Sequence, residues 1–325
     1  MASAGGVGFP CRPHAPHGAP GRPVPPPDRA PFLSPALGRA PGALAPAFML
    51  GPSASPPAEG TRPLRLVTWN INSVRLRFDL LAQVAQQLAP DVICLQETKV
   101  TDDLFPADAC RALGFEHLAF HGMKGYNGVA ILSKRPLSAI HKPLRCDKAD
   151  CRHLIAQVGG IELHCLYIPA GGDIPDPAAN PKFAHKLDFV RELTAWYGAE
   201  YRPDRPVVLA GDFNIAPLET DVWSHKQLLG VVSHTPVEVD LLTAMQNSVP
   251  FVDAVRHFVP PAERLYTWWS YRSPDWTRND RGRRLDHVWV TPALKDRLRG
   301  AQVLRDARAW TQPSDHVPVL VEWAD

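Results

Sequence analysis

The sequence predicts an α/β protein in which mixed β-sheets pack face to face with helices on the outside. Three observations lead there. Apolar runs of strand length outnumber helix-like segments, and helices do not separate every pair of strands, which argues against a doubly wound parallel sheet. Two of the runs are joined by Gly159-Gly160, a two-residue turn suited to an antiparallel hairpin. Most runs end in a polar residue rather than fading into a loop.

In chain order, Leu64–Trp69 alternates and reads as a strand ending at Asn70. Leu76, Leu80, Leu81, Val84 and Leu88 then mark one face of a helix stopped by Pro90. Residues 91–96 form a second strand ending at Glu97, and residues 128–133 a third. Residues 154–158 and 161–168 flank the Gly-Gly turn. Phe183, Leu187, Val190, Leu193 and Tyr197 mark a second amphipathic helix. Residues 207–210, 285–290 and 317–323 complete the strands. No internal repeat, GxGxxG or phosphate-binding P-loop motif is present.

The stretch Gly211-Asp-Phe-Asn-Ile215 is the most telling. It follows the apolar run Val207-Val-Leu-Ala210, so a buried strand ends by presenting Asp212 and Asn214, with Gly211 allowing close backbone approach. Alternate residues at a strand end face the same way, and a carboxylate and an amide together orient water and hold a phosphate oxygen. Asn70, Glu97, Lys99, Tyr167, Asp286, Asp315 and His316 also sit at strand ends or in adjoining loops. Each has an ordinary structural explanation, as a turn, a cap, a core aromatic or a surface imidazole. Together they form a rim on which several carboxylates converge, and such carboxylates repel unless a cation neutralises them. Oxygen ligands suit a hard ion such as Mg²⁺ or Mn²⁺, and a histidine oriented by an aspartate suits acid/base work.

Composition bounds the rest. With 45% apolar and 21% charged residues, the chain is ordinary for a globular enzyme, and no apolar run reaches the ~18 residues of a membrane span. Fifteen of the 35 prolines precede Arg62, among Ala and Gly. Residues 1–62 therefore read as a disordered Pro/Ala-rich extension, with Met49 as a candidate alternative start, and 63–325 as one catalytic domain. The extension has neither an amphipathic transit-peptide pattern nor a signal-peptide apolar core. It carries about +3 and the whole chain +2, so the domain is near neutral and nucleic-acid affinity must come from a local basic face. Arg272, Arg278, Arg281, Arg283 and Arg284 offer such a stripe, although a solvated loop would look alike. The scattered cysteines suit reduced thiols in the cytoplasm. Cys146, Cys151 and His153 lack the fourth ligand and spacing of a zinc site.

The series TWNIN (68–72), LQETK (95–99), NGVAILSK (127–134), YIPAGG (167–172), GDFNIAP (211–217), YTWWSYRS (266–273), RLDHVWVT (284–291) and SDHVPV (314–319) resembles the exodeoxyribonuclease III family. These are class II apurinic/apyrimidinic endonucleases of the endonuclease/exonuclease/phosphatase superfamily. The resemblance runs in order from Leu64 to Trp323 and implies a four-layered α/β sandwich like that of deoxyribonuclease I, two mixed β-sheets flanked by helices. It implies a Mg²⁺-dependent nuclease, with Mn²⁺ as a substitute, that cleaves 5′ to abasic sites and has 3′–5′ exonuclease activity. The implied partners are double-stranded DNA with abasic sites or 3′ ends, with no membrane, and the chain is expected to act as a monomer.

By the same resemblance Glu97 is the principal metal carboxylate, with Asn70, Asp315, Asp212 and Asn214 in or beside the metal shell. His316 polarises the scissile phosphate or assists proton transfer, and Asp286 orients it. Asp212 aligns or deprotonates the attacking water, while Asn214 and Tyr167 bind phosphate. Lys99, Trp268, Arg272, Arg283 and Leu285 face DNA, Trp268 and Leu285 lining a pocket for an extruded abasic sugar. Trp268 and Trp269 would each also suit a core. Two departures stand out: Ala170 replaces a frequent Asn or Gln, and Ser73 a frequent Gly. A phosphomonoesterase on the same fold would share Glu97, Asp212 and His316, and a silent DNA-binding module is the non-enzyme alternative.

Overall fold

The computed structural model describes residues 63–273 and 275–324. The expected extension, residues 1–62, lies outside the described residues. β1 (Leu64–Asn70) leads through α1 (Phe78–Leu88) to β2 (Val92–Gln96). A short α2 (Ala107–Ala112) precedes β3 (His117–His121), β4 (Val129–Ser133), β5 (Leu137–His141), β6 (His153–Val158) and β7 (Ile161–Tyr167). The long α3 (Pro181–Glu200) returns the chain to β8 (Val207–Asp212). Then come α4 (His225–Leu228), α5 (Pro236–Ser248), β9 (Val252–Asp253), β10 (Trp268–Trp269), α6 (Trp276–Asn279), β11 (Gly282–Arg283) and β12 (Asp286–Val290). The chain closes with α7 (Pro292–Lys295), β13 (Leu298–Val303) and β14 (Val319–Trp323).

Two six-stranded sheets result, ordered β13-β14-β1-β2-β4-β3 and β5-β6-β7-β8-β12-β9, with β10-β11 as a separate ribbon. Both are mixed: β1–β2 and β7–β8 are parallel, their other pairs antiparallel. Period-two alternation sorts the side chains into layers. Leu64, Leu66, Val92, Cys94, Val129 and Ile131 meet Leu163, Cys165, Val208, Ala210, Val288 and Val290 in a core between the sheets. The intervening residues Val67, Trp69, Ile93 and Leu95 face outward onto Leu81, Val84 and Leu88 of α1. On the other side Leu166, Val207 and Leu209 pack against Phe189, Val190, Leu193 and Tyr197 of α3 and Leu242 and Met245 of α5. The architecture is the expected four-layered α/β sandwich. Among the described residues no helix is long and apolar enough to cross a membrane.

Most boundaries fall within a residue or two of those read from the sequence. Leu76 departs: it precedes α1 and is exposed, and Val74 takes the buried place before the helix. Of the strands not anticipated, β3, β5, β9 and β13 are the four edges of the two sheets, and β10 and β11 are the two-residue strands of the separate ribbon. Edge strands are half-buried or exposed and carry a weak apolar signal; four of the five residues of β5 are exposed. α5 was also unanticipated, although Thr235 and Glu238 form a capping box with Pro236 at the first helical position. Gly159 and Gly160 both have positive φ, as the hairpin turn requires.

Candidate active site

The alternation that builds the inter-sheet core also builds the site. On β1 the inward row is Leu64, Leu66, Thr68, Asn70; on β7 it is Ile161, Leu163, Cys165, Tyr167; on β8 it is Val208, Ala210, Asp212; on β12 it is Asp286, Val288, Val290. Each row ends in its polar member at the same edge, because Tyr167 pairs with Asp212 and Asp212 with Asp286 across the sheet. Gly211 makes that register possible, since a Cβ there would lie 1.9 Å from the Leu166 carbonyl oxygen.

Glu97 is different. Its place after Gln96 would turn it outward, but its φ of +52° breaks the alternation. Its Oε1 accepts from the Tyr167 hydroxyl (2.8 Å) and from Asn70 Nδ2 (2.9 Å), and Oε2 pairs with Lys99 (2.8 Å). Burial opposes its charge, but Lys99 and the bond from Asn70 win and hold its pKa below the ordinary value. Asn70 Nδ2 also donates to Asp212 Oδ2 (2.9 Å), so one fully buried amide links the carboxylates of the two sheets. Asn214 clamps Asp212 from the other side, donating through its backbone N–H (2.9 Å) and its Nδ2 (3.0 Å).

His316 Nδ1 bonds Asp286 Oδ2 at 2.9 Å, and its Nε2 lies 3.6 Å from Asp212 Oδ2. Burial alone would lower the imidazole pKa; Asp286 and then Asp212 raise it to about 10. Burial, with Asp286 and Glu97 close by, pushes Asp212 up to about 7 against the pull of His316 and Asn70. Asp212, Asp286 and His316 offer ligand atoms within 4.8 Å of one another. Asp286 Oδ1 is buried without a hydrogen-bond partner. A raised carboxylate and an orphaned acceptor mark an excess of negative charge, which fits a hard cation held by carboxylate oxygens. Asp212 and Asp286 supply the carboxylates of that cluster, and Glu97 is joined to Asp212 through the Asn70 amide.

Other expected residues fall elsewhere. Asp315 does not bond Asn70 or Glu97: its oxygens accept from Trp268 Nε1 (2.9 Å) and Asn72 Nδ2 (3.1 Å). Lys99 is no free arm, because it spans Glu97 and Asn72 Oδ1 (2.5 Å). Trp268 is half-buried, pairs with His316 in an isolated bridge and packs in one apolar cluster with Leu285, Ala216 and Val222. Trp269 is a core residue, 1% exposed, its indole bonded to Asp280. Arg283 stacks on Trp268 at 5.3 Å and donates to Val232 O and Ser233 Oγ, so its guanidinium is largely spent within the protein. Arg284 leaves the expected basic stripe altogether: it is 1% exposed and paired with Asp221 and Asp253. Arg272 is exposed.

Residues not singled out from the sequence also build the site. Asn72, in the same TWNIN string as Asn70, bridges Lys99 and Asp315. Arg77 donates to Asn72 O, to Gln312 O (3.1 Å) and to the Tyr271 hydroxyl (3.0 Å), tying three loops together. Lys186 and Glu238 form a fully buried pair at 2.5 Å, and the ammonium also donates to Asn214 O (2.8 Å) and Ala170 O (3.3 Å). A signal existed for it: Lys186 occupies the buried stripe Phe183, Leu187, Val190 of α3.

A phosphoester-hydrolase class is what this convergence of carboxylates, amides and an acid-paired histidine across two packed sheets defines. Comparison with known proteins agrees. Residues 67–316 match the model of the Endonuclease/Exonuclease/phosphatase family. The chain is 31% identical over 272 residues to an exodeoxyribonuclease III of Haemophilus influenzae, an alignment covering 80% of this chain and all of that protein. An AP endonuclease of Archaeoglobus fulgidus superposes with a TM-score of 0.75 at 30% identity, covering 80% of this chain and 99% of that one. A 3′ phosphatase from Neisseria, solved with a product DNA hairpin, superposes with a TM-score of 0.74 at 31% identity and the same coverages. The chain belongs to the endonuclease/exonuclease/phosphatase family, and within it to the exodeoxyribonuclease III group of hydrolytic nucleases.

Proposed function

We propose that this protein is a Mg²⁺-dependent repair nuclease that hydrolyses the phosphodiester 5′ to abasic sites in duplex DNA and also trims 3′ ends. The observation that carries the reading is the chain of contacts Glu97–Asn70–Asp212–His316–Asp286, which spans both sheets. The half-buried Trp268 and the buried Leu285 stand beside it. The catalytic unit is residues 63–325, with 1–62 an extension.

Asp212 sits where it would orient a water for in-line attack on phosphorus and take its proton. Its oxygens are held by Asn70 and Asn214, so the carboxylate cannot rotate away. His316 would donate from Nε2 to a non-bridging phosphate oxygen, while Asp286 fixes the ring through Nδ1. The attack breaks the P–O3′ bond and leaves a 3′-hydroxyl, protonated from solvent. The Tyr167 hydroxyl and the Asn214 amide line the same edge, but their protons are given to Glu97 and to Asp212 and Ile168 O, so their part would be to position the two carboxylates. Mg²⁺ bound by Glu97 and Asp212 would supply charge neutralisation of the phosphate. Trp268 and Leu285 would receive the extruded sugar, which has no base to unstack. Exposed Arg272 would contact backbone phosphate.

Incubation with abasic, nicked and 3′-phosphate duplexes, with and without Mg²⁺, tests this. Incision of the abasic duplex that disappears with chelator is expected. A product restricted to dephosphorylated 3′ ends would overturn the endonuclease reading.

A further inference from the structure

His234 and His225 lie outside the cleft just described and take no part in its chemistry. His234 is 2% exposed and precedes α5; His225 opens the one-turn α4 and its side chain is 38% exposed. His234 Nδ1 donates to the carbonyl oxygen of Ala216 at 2.6 Å. That bond fixes the tautomer, so the lone pair is on Nε2. This atom aims at His225 Nδ1, 2.8 Å away, with the rings at 79° to one another. The two rings line a concavity of about 220 Å³ shared with Glu219 and Asp240. Glu219 Oε1 lies 3.5 Å from His225 Nε2, the ring nitrogen facing away from His234, where a carboxylate orients the imidazole.

We propose that His225 and His234 bind a borderline transition-metal ion, Zn²⁺ by the chemistry of its ligands, through His225 Nδ1 and His234 Nε2, with Asp240 from the same concavity and water completing the shell. Two imidazoles with a carboxylate select such an ion over Mg²⁺, which prefers oxygen alone. Bonds of 2.0–2.1 Å at a tetrahedral angle set the two nitrogens about 3.3 Å apart. The pair therefore has to open by about half an ångström. His225 can supply that movement, because it is half-exposed on a single helical turn. His234 cannot and need not: a ligating imidazole is normally held through its other nitrogen by a carbonyl or carboxylate, which is what Ala216 provides. Burial of His234, beside His225, also keeps its ring neutral, the form that ligates. Ala216 N in turn donates to Ser233 O at 2.8 Å. An ion here would thus pin the chain just beyond Asn214 to the lead-in of α5.

The test uses the full chain, reduced and saturated with Mg²⁺ so that the cleft is occupied. Zn²⁺ is titrated against a chromophoric chelator, and Co²⁺ binding is followed by its visible spectrum. The expected result is one Zn²⁺ whose affinity falls about tenfold or more in His225→Gln, with loss of the intense tetrahedral Co²⁺ bands. His234→Gln should give the same loss, but it also removes the Ala216 bond. His225→Gln leaves that bond intact and is the decisive variant; its melting temperature without Zn²⁺ should match the parent. Unchanged Zn²⁺ affinity and Co²⁺ spectrum in His225→Gln would overturn the proposal and leave the pair as two rings sharing a proton.

Discussion

The pairing of Asp286 with His316 is open to a quantitative challenge. The imidazole pKa stands at about 10 instead of 6.5, with Asp286 the largest cause raising it and Asp212 the next. Each unit corresponds to 1.36 kcal/mol of preference for the protonated ring, so a neutral side chain at 286 should remove a substantial part of ~5 kcal/mol. Asp286→Asn keeps shape and volume but removes the charge opposite Nδ1. In the orphaned position of Asp286 Oδ1 it can place an amide that finds no acceptor. The expected loss is about 10²–10⁴ in kcat, the scale seen when an orienting aspartate is neutralised beside a working histidine. His316→Asn should be at least as severe. Because Asp286 acts through the ring it orients, the double variant should be little worse than His316→Asn alone. The assay is single-turnover incision of an abasic duplex at saturating Mg²⁺, with thermal melts to confirm folding. Multiplicative losses in the double variant would refute the reasoning, because the two residues would then act independently.

Further outcomes follow from the same geometry. Trp268→Ala should cost roughly tenfold or more in kcat/KM on abasic DNA while leaving the Mg²⁺ requirement unchanged; because the indole N–H holds Asp315, Trp268→His, retaining a ring and a donor, should recover more than Trp268→Leu, and equal values for the two would disprove the tether. Glu97→Gln should raise the Mg²⁺ concentration needed for half-maximal activity while leaving the melting temperature within a few degrees; normal cleavage at low Mg²⁺ would remove Glu97 from the metal site. Glu162 accepts from Tyr201 and His164 and pairs with Arg205; burial opposes its charge, but these partners hold its pKa down at about 2. Since a depressed pKa stabilises above the unfolded value near 4.5 and is lost as pH falls towards 2, the melting-temperature gap between the parent and Glu162→Gln should be full at pH 6 and shrink steadily below pH 4.5. Ser73 holds a φ of +84° where glycine is at ease; Ser73→Gly should leave stability equal or higher by up to about 1 kcal/mol in urea melts, and a clear loss would show that the hydroxyl has an unrecognised partner.

The sequence by itself determined the layering and the contents of the site edge. Strict alternation over β1, β7 and β8 dictates that Asn70, Tyr167 and Asp212 face the same side as Leu66, Cys165 and Ala210, so burying those apolar residues between two sheets delivers the polar ones to one rim. The helix stripes of α1 and α3 were legible for the same reason, since burial imposes a period. Edge strands were not, because half of each is solvated and nothing enforces a pattern. Only the tertiary structure decided how the rim is wired. Glu97 enters the cleft through a left-handed backbone turn that no periodicity announces. Asp315 leaves the Glu97–Asn70 group for Trp268 and Asn72, a choice between nearby donors that depends on where loops distant in sequence come to rest. Of two adjacent tryptophans, Trp269 is core and Trp268 borders the cleft, because neighbouring residues of β10 face opposite ways and only the packed neighbours say which side is solvent. Of two adjacent arginines, Arg284 is claimed by Asp221 and Asp253 while Arg283 lies over Trp268. A charged residue's fate is set by the partners that folding brings within a few ångströms, and those partners lie from 31 to 63 residues away for Arg284.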